Sequence, residues 1–183
     1  MKKTLYVFVI LAVLLSLGLW RMLGNEEIAI PKPTGYFRID LPSPHYRNFD
    51  GSCPFSIPIS EYATVELFDN KSNNDSCRFN IFYPKLNARI HCTFLPVSGN
   101  INDLVSDAYG FASKHEMKAS AIDRVWIEHP ENKVFGIQYN IQGNAASPIQ
   151  FFLTDSTQHF FRGALYFECS PNADSIAPVL NFI

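Results

Sequence analysis

Polar and apolar positions fall along the chain in three distinct rhythms. The first is a run, Leu5–Trp20, with no charge in it and with Lys2 and Lys3 before it. No polar stripe divides the run, so it reads as an export signal or membrane anchor and not as an amphipathic core helix. Sixteen helical residues span about 24 Å, short of the roughly 30 Å hydrocarbon core, and Met22 and Leu23 with a snorkelling Arg21 extend it. Leu19, Trp20 and Arg21 stand where a cleavage site has small residues. An uncleaved anchor over residues 1–23 is expected, N-terminus inside, with the rest in an exported compartment. Gly24–Pro33 is a stiff linker with two prolines.

The second rhythm is strict alternation, the mark of strands. Gly35–Leu41 is expected as a first, edge strand closed by Pro42 and Pro44. Asn48–Pro58 is expected as loop with a turn at Asp50-Gly51. Tyr62–Phe68 places Ala63, Val65 and Leu67 on one side, and Asp69–Asp75 is a polar turn. Cys77–Tyr83 with Ala88–Val97, and Ala121–Glu128 with Lys133–Ile141, form two hairpins. The stretch Gly143–Phe167 forms the most apolar one, around Asp155-Ser156-Thr157-Gln158. A four-residue loop there sets Thr154 opposite His159, Phe152 opposite Phe161 and Arg162 opposite Phe151. Both faces of this hairpin are apolar, so it belongs inside a sheet covered on both sides.

The third rhythm is helical. In Ile101–Lys118, Leu104, Val105, Ala108, Phe111, Ala112 and His115 share one face, with Asn100 as N-cap. Ser175–Ile183 starts a last helix, with Pro178 in its first turn. Together these elements predict an α+β domain over residues 34–183: an antiparallel sheet of hairpins with one long central helix and a C-terminal helix packed on it.

Composition narrows the functional classes. The chain of 183 residues suffices for one domain and is 47% hydrophobic and 17% charged. A net charge of −2 gives no polyanion surface, so no nucleic-acid partner is implied. Four cysteines, Cys53, Cys77, Cys92 and Cys169, follow the anchor and allow three pairings. Cys53 and Cys77 fall in polar, loop-adjacent segments and are expected to be bridged, while Cys92 and Cys169 sit in apolar strand contexts. Without C-x-x-C or H-E-x-x-H, no metal or cofactor is expected.

The segments GYFRIDLP (Gly35–Pro42), CPFSI (Cys53–Ile57), FNIFYPKLNARIH (Phe79–His91), Lys114-His115, KASAI (Lys118–Ile122) and GNAASPIQFFLTDSTQHFFRGALYF carry a further signal. In them the chain resembles the gliding motility lipoprotein GldD family of Bacteroidetes, from about Pro31 to the last residue. The resemblance implies a cell-envelope accessory protein for gliding, coupled to type IX secretion. Its partners would be other gliding or secretion envelope proteins, and it implies no known reaction. The family predicts a lipobox cysteine; here none follows Leu15-Ser16-Leu17-Gly18, and the uncleaved anchor replaces lipidation. The family also continues its last helix beyond the position of Ile183.

Candidate sites follow from polar groups that interrupt apolar strands or sit at tips. Asn144, Asp155, His159 and Arg162 form the candidate partner surface. Arg162, on a strand lined with Phe and Tyr, must pair with a carboxylate, stack on an aromatic ring, or face a partner. The alternative is an envelope hydrolase or small-ligand binder with a pocket near His91 or His115. Asp155, Ser156 and His159 name the residues of a hydrolase triad, but no G-x-S-x-G elbow accompanies them.

Overall fold

The structure, a computed structural model, describes residues 2–23, 35–36, 38–49, 53–68, 76–170 and 172–183. It divides into two compact units, residues 1–37 and 38–183. The expected linker at 24–33 and the expected turns at Asp50-Gly51 and Asp69–Asp75 lie outside the described residues. In the first unit, α1 (Lys2–Leu23) is a single helix whose apolar side chains are exposed, Leu5 at 65% and Trp20 at 76%. Among the described residues no helix is long and apolar enough to cross a membrane.

The second unit opens with a two-stranded ladder, β1 (Tyr46–Phe49) and β2 (Ile57–Ser60), that the sequence pattern hid. Among the described residues of Gly35–Leu41 the expected strand does not form. The described residues from 35 to 40 are exposed and in no regular structure. Among the described residues strand pairing begins at Tyr46, after Pro42 and Pro44, which supply no amide hydrogen.

Seven strands then build one antiparallel sheet in the order β3-β4-β5-β9-β8-β7-β6. They are β3 (Thr64–Leu67), β4 (Cys77–Tyr83), β5 (Ala88–Pro96), β6 (Ala119–His129), β7 (Val134–Gly143), β8 (Ile149–Thr154) and β9 (His159–Phe167). The three expected hairpins are present as neighbours. After β5 the chain crosses the sheet through α2 (Ile101–Ser113) to the far edge, and β6 to β9 return strand by strand until β9 pairs with β5. This places β8 and β9 inside the sheet, as their two apolar faces require.

Alternation divides the core between the two faces. One face gathers Phe79, Phe94 and Leu165 beneath Phe49 and Ile59 from the β1–β2 ladder. Phe79 is 1% exposed and meets the rings of Phe49, Phe55 and Phe161 at centroid distances of 5.6, 6.0 and 6.1 Å. The C-terminal helix α3 (Ala173–Leu180) contributes Leu180 to that side. The other face packs Tyr139, Phe152 and Phe160 against Ala108 and Ala112 of α2.

Three helix details differ from expectation. α2 ends at Ser113, so His115 lies in the turn beyond it. Asn100 makes no side-chain cap; its Oδ1 accepts the Ser98 amide instead, at 2.9 Å. α3 begins at Ala173, capped by Asn172, which leaves Pro178 in the helix interior.

The central hairpin is paired one residue away from the expected register. Thr154 faces Phe160, Leu153 faces Phe161, Phe152 faces Arg162 and Phe151 faces Gly163. The loop absorbs an extra residue because Ser156 takes a left-handed conformation at φ 66° and the Thr154 hydroxyl donates to the His159 carbonyl at 2.6 Å. A slip of one exchanges faces. Phe160 and Arg162 therefore lie on the α2 side with Phe152, while Phe161 and Leu165 join Phe79 on the other.

Candidate functional site

Four residues of the expected partner surface separate in space. Asp155 and His159 sit at the β8–β9 tip. Asn144 lies at the opposite end of β8, where its Oδ1 accepts the Ala173 amide at 3.2 Å. Arg162 lies mid-strand on the α2 side. It donates to Gln150 Oε1 at 2.9 Å and its guanidinium stacks over Phe111 at 4.3 Å. Of the three roles open to this arginine, aromatic stacking is the one the fold uses, because α2 brings Phe111 over β9.

The tip is built around one carboxylate. Asp155 Oδ1 accepts the backbone amides of Thr157, Gln158 and His159 at 3.0, 2.8 and 2.8 Å. Its Oδ2 lies 2.7 Å from His159 Nδ1. Partial burial works to raise the Asp155 pKa, but the amides of His159, Gln158 and Thr157 outweigh it and hold the carboxyl well below the usual range. Ser156 is bound into the loop through its amide, which donates to Thr154 Oγ1. Asp155 thus closes the turn, and both oxygens of its carboxylate are engaged there, three backbone amides on one and the His159 ring on the other. Beside the tip runs a groove of about 390 Å³ with Phe55, Ile57, Phe94, Leu153 and Phe161 in its walls and Asp155, His159 and Lys133 among its polar lining.

His91 and His159 do not converge. His159 packs on Phe94, on the face opposite His91. His115 follows α2, and its carbonyl accepts the Lys118 and Ala119 amides. Burial lowers the His115 pKa, the reverse of what a helix C-terminus would do to it.

Around His91, however, the sheet assembles a polar row. Cross-strand pairing aligns Glu66, Asn80, His91, Ala164, Gln150, Tyr139 and Arg124 on one face, one from each strand. A carboxylate only accepts, so Asn80 must turn its amide nitrogen to Glu66, and Nδ2 donates to Oε2 at 3.0 Å. That leaves Asn80 Oδ1 to accept from His91 Nδ1, 2.8 Å away. Nδ1 then carries the proton, and Nε2 of the neutral ring is the acceptor. Tyr166 meets the ring edge-on at 5.3 Å. Arg89 pairs with Glu66 at 3.3 Å and with Glu168, and its guanidinium lies over Phe82 at 4.4 Å. Buried Gln150 Nε2 has no hydrogen-bond partner among the described residues.

The row fixes the ring's tautomer and sets its acidity. Burial and the Arg89 charge lower the His91 pKa, and Glu66 opposes them. The Asn80 hydrogen bond, with Arg89 and His91, lowers the pKa of Glu66 against desolvation. In nuclear magnetic resonance titrations, His91 is expected to titrate below the ordinary 6.5, and lower still in Glu66→Gln. Because the unfolded imidazole takes up its proton first, His91's contribution to stability is full above pH 6.5 and is lost as pH falls below it. A titration above 6.5 would contradict the arrangement. Alternation along β5 puts Arg89, His91 and Thr93 on one face, but nothing in it points to Glu66 and Asn80. The signal available was Asn80 itself, a buried polar residue set between Phe79 and Ile81 in the middle of β4.

None of these groups forms a metal cluster: among the described residues no three His, Cys, Asp or Glu side chains gather. Comparison with curated proteins and with solved structures gave no match. A sequence model of the family described as gliding motility lipoprotein GldD matches residues 26–183. That span takes in the tip, the polar row and every strand of the sheet, and the chain belongs to the gliding motility lipoprotein GldD family.

Proposed function

We propose that this chain is a membrane-anchored accessory protein of the gliding motility and type IX secretion apparatus. α1 holds it at the membrane with residues 38–183 in the periplasm, and it acts by docking on other envelope proteins of that apparatus. Family membership supports the setting. The exposed apolar surface of α1 supports the anchor, since such a helix needs an apolar environment. The observation that carries docking is the open groove beside the tip. Its walls are aromatic and aliphatic, and the His159 ring at its rim is half exposed and fixed by Asp155. An apolar segment of a gliding or secretion component, inserted between Phe55 and Leu153, is the occupant this groove suits.

Site-specific photo-crosslinking in the cell envelope tests the reading. A crosslinker at Lys133, beside the groove, is expected to capture one envelope protein, and one at Asn144, at the far end of β8, is expected to capture none. Arg162→Ala serves as a control for internal bonding and is expected to lower stability by about 1 to 3 kcal/mol. Normal gliding in a Leu153→Ala strain, together with no capture from Lys133, would remove the groove from the hypothesis.

A second reading, an envelope hydrolase or small-ligand binder using a pocket near His91 or His115, draws on the oriented acceptor at His91 Nε2 and on the cavity of about 310 Å³ lined by Ser113, Glu116 and Tyr139 beside His115. Cys92 supplies no nucleophile for it, since burial pushes its thiol up to about 12. Loss of gliding in His91→Gln, with capture from Lys133 intact, would favour this reading over docking.

A further inference from the structure

The two edges of the sheet are built differently. β3 is four residues long. β6 is eleven, and among the described residues its outer edge pairs with no strand. Natural edges are shielded by brevity, lysine, proline or bulges. From Ala121 to His129 β6 has no lysine, proline or bulge, its single register shift lying before Ala121; what it has is three charges, Asp123, Arg124 and Glu128, which select the partner that can pair with it. It exposes Trp126 at 70% and Val125 at 46%, one on each face. A long, regular edge with an exposed tryptophan at its middle is a template for another strand.

We propose that β6 pairs antiparallel with β6 of a second copy of this chain, about a two-fold axis at Trp126, so that two seven-stranded sheets become one. A two-fold axis perpendicular to a sheet must pass through a residue facing itself, which leaves a short set of registers. Centred on Arg124, the register sets arginine against arginine. Centred on Val125 it sets Arg124 against Trp126 and Asp123 against Ile127. Centred on Ile127 it sets Trp126 against Glu128. Centred on Trp126 it sets Arg124 against Glu128, Asp123 against His129, and Val125 against Ile127, each twice. Only in this register, of the four, does Arg124 meet Glu128, with Asp123 opposite the hydrogen-bonding ring of His129. It ends where Ile122 would face Pro130, which has no amide to give.

The side chains are placed for it. Arg124 stacks over Tyr109 at 4.8 Å, a contact that uses the flat face of the guanidinium and leaves its in-plane donors for Glu128 of the other copy. His129 lies 3.4 Å from Glu131 and is 59% exposed, so it is free to turn toward Asp123 of the other copy. Asp123 already accepts from Gln142 through one oxygen and keeps the other. The two Trp126 side chains fall on the α2 side of the joined sheet as a directly opposite aromatic pair.

Cysteine crosslinking of the full chain, in membranes and in a Cys169→Ser background, tests the register. Residues facing each other across an antiparallel pair have Cα atoms about 4.5 to 5.5 Å apart, within disulfide reach. Trp126→Cys is therefore expected to give a covalent dimer. Arg124→Cys alone should not, and Arg124→Cys mixed with Glu128→Cys should. Arg124→Glu is expected to weaken the dimer about tenfold, with Arg124→Glu plus Glu128→Arg restoring it. Melting temperatures close to the parent's show that the variants fold. A monomer at every concentration, equal crosslinking from positions 124 and 126, or capture of a different protein by Trp126→Cys would each overturn the proposal.

Discussion

Gly136→Ala is expected to destabilise the domain by about 3 kcal/mol, although it adds only a methyl group. A Cβ at Gly136 would stand 2.0 Å from the carbonyl oxygen of Phe152 on the neighbouring strand and 3.1 Å from the carbonyl carbon. Backbone cannot step aside without breaking the β7–β8 ladder, in which Gly136 faces Leu153. Gly163→Ala makes an instructive comparison. Its Cβ would meet the ring of Phe151 at 2.3 Å, but a side chain can rotate away. Phe151→Ala should therefore rescue Gly163→Ala and leave Gly136→Ala unrescued. Urea denaturation of the four variants measures this. A Gly136→Ala protein within about 0.5 kcal/mol of the parent would mean that β7 and β8 do not approach as described.

The Phe151–Gly163 contact also explains what was legible in the sequence and what was not. Turn residues and alternation identified the hairpins, because those signals are local. Register is decided by what stands opposite, and here the bulky Phe151 lies over the residue without a side chain. A reading that counted only loop residues put Arg162 there and so placed the arginine on the wrong face. The β5–β9 pairing was hidden for a related reason: the two strands are separated by α2 and three intervening strands, and no local pattern marks it. The β1–β2 ladder was missed because Asn48, Pro58 and the neighbouring Asp50-Gly51 have the composition of a loop, while its burial comes from Phe49 and Ile59 docking on a distant strand.

The candidate site follows the same division. Alternation along β5 by itself puts Arg89 and His91 on one face. The Glu66–Asn80–His91 chain needed the order β3-β4-β5 and its register, which set one polar residue of each strand in line. Asp155 was legible as a turn-former from its position alone. That it serves three amides at once depends on Ser156 adopting φ 66°, which an Asp-Ser-Thr-Gln sequence does not announce.

Removing the Cys53–Cys77 bridge is expected to cost about 3 kcal/mol, from the chain entropy of the loop it closes. The two residues are 24 apart in sequence, with Cα atoms 5.8 Å apart, and both are buried. The bridge ties the segment after β1 to the first residue of β4. A two-stranded ladder has little stability of its own, so its docking on Phe79 depends on that tie. Reduction should loosen Phe49 and Ile59 first, which hydrogen exchange would detect as lost protection in β1 and β2 before the main sheet. Cys92 is a poor substitute partner. Cys77 faces Phe94 and Cys92 faces Phe79, so the two cysteines are diagonal neighbours with Cα atoms about 7 to 8 Å apart, beyond disulfide reach. Its raised thiol pKa also keeps it from attacking the bridge. Peptide mapping without reductant should recover Cys53 linked to Cys77, and Cys92→Ser should leave that link and the reductant-sensitive stability intact. A Cys53–Cys92 peptide, or a denaturation curve that reductant does not move, would refute the tie.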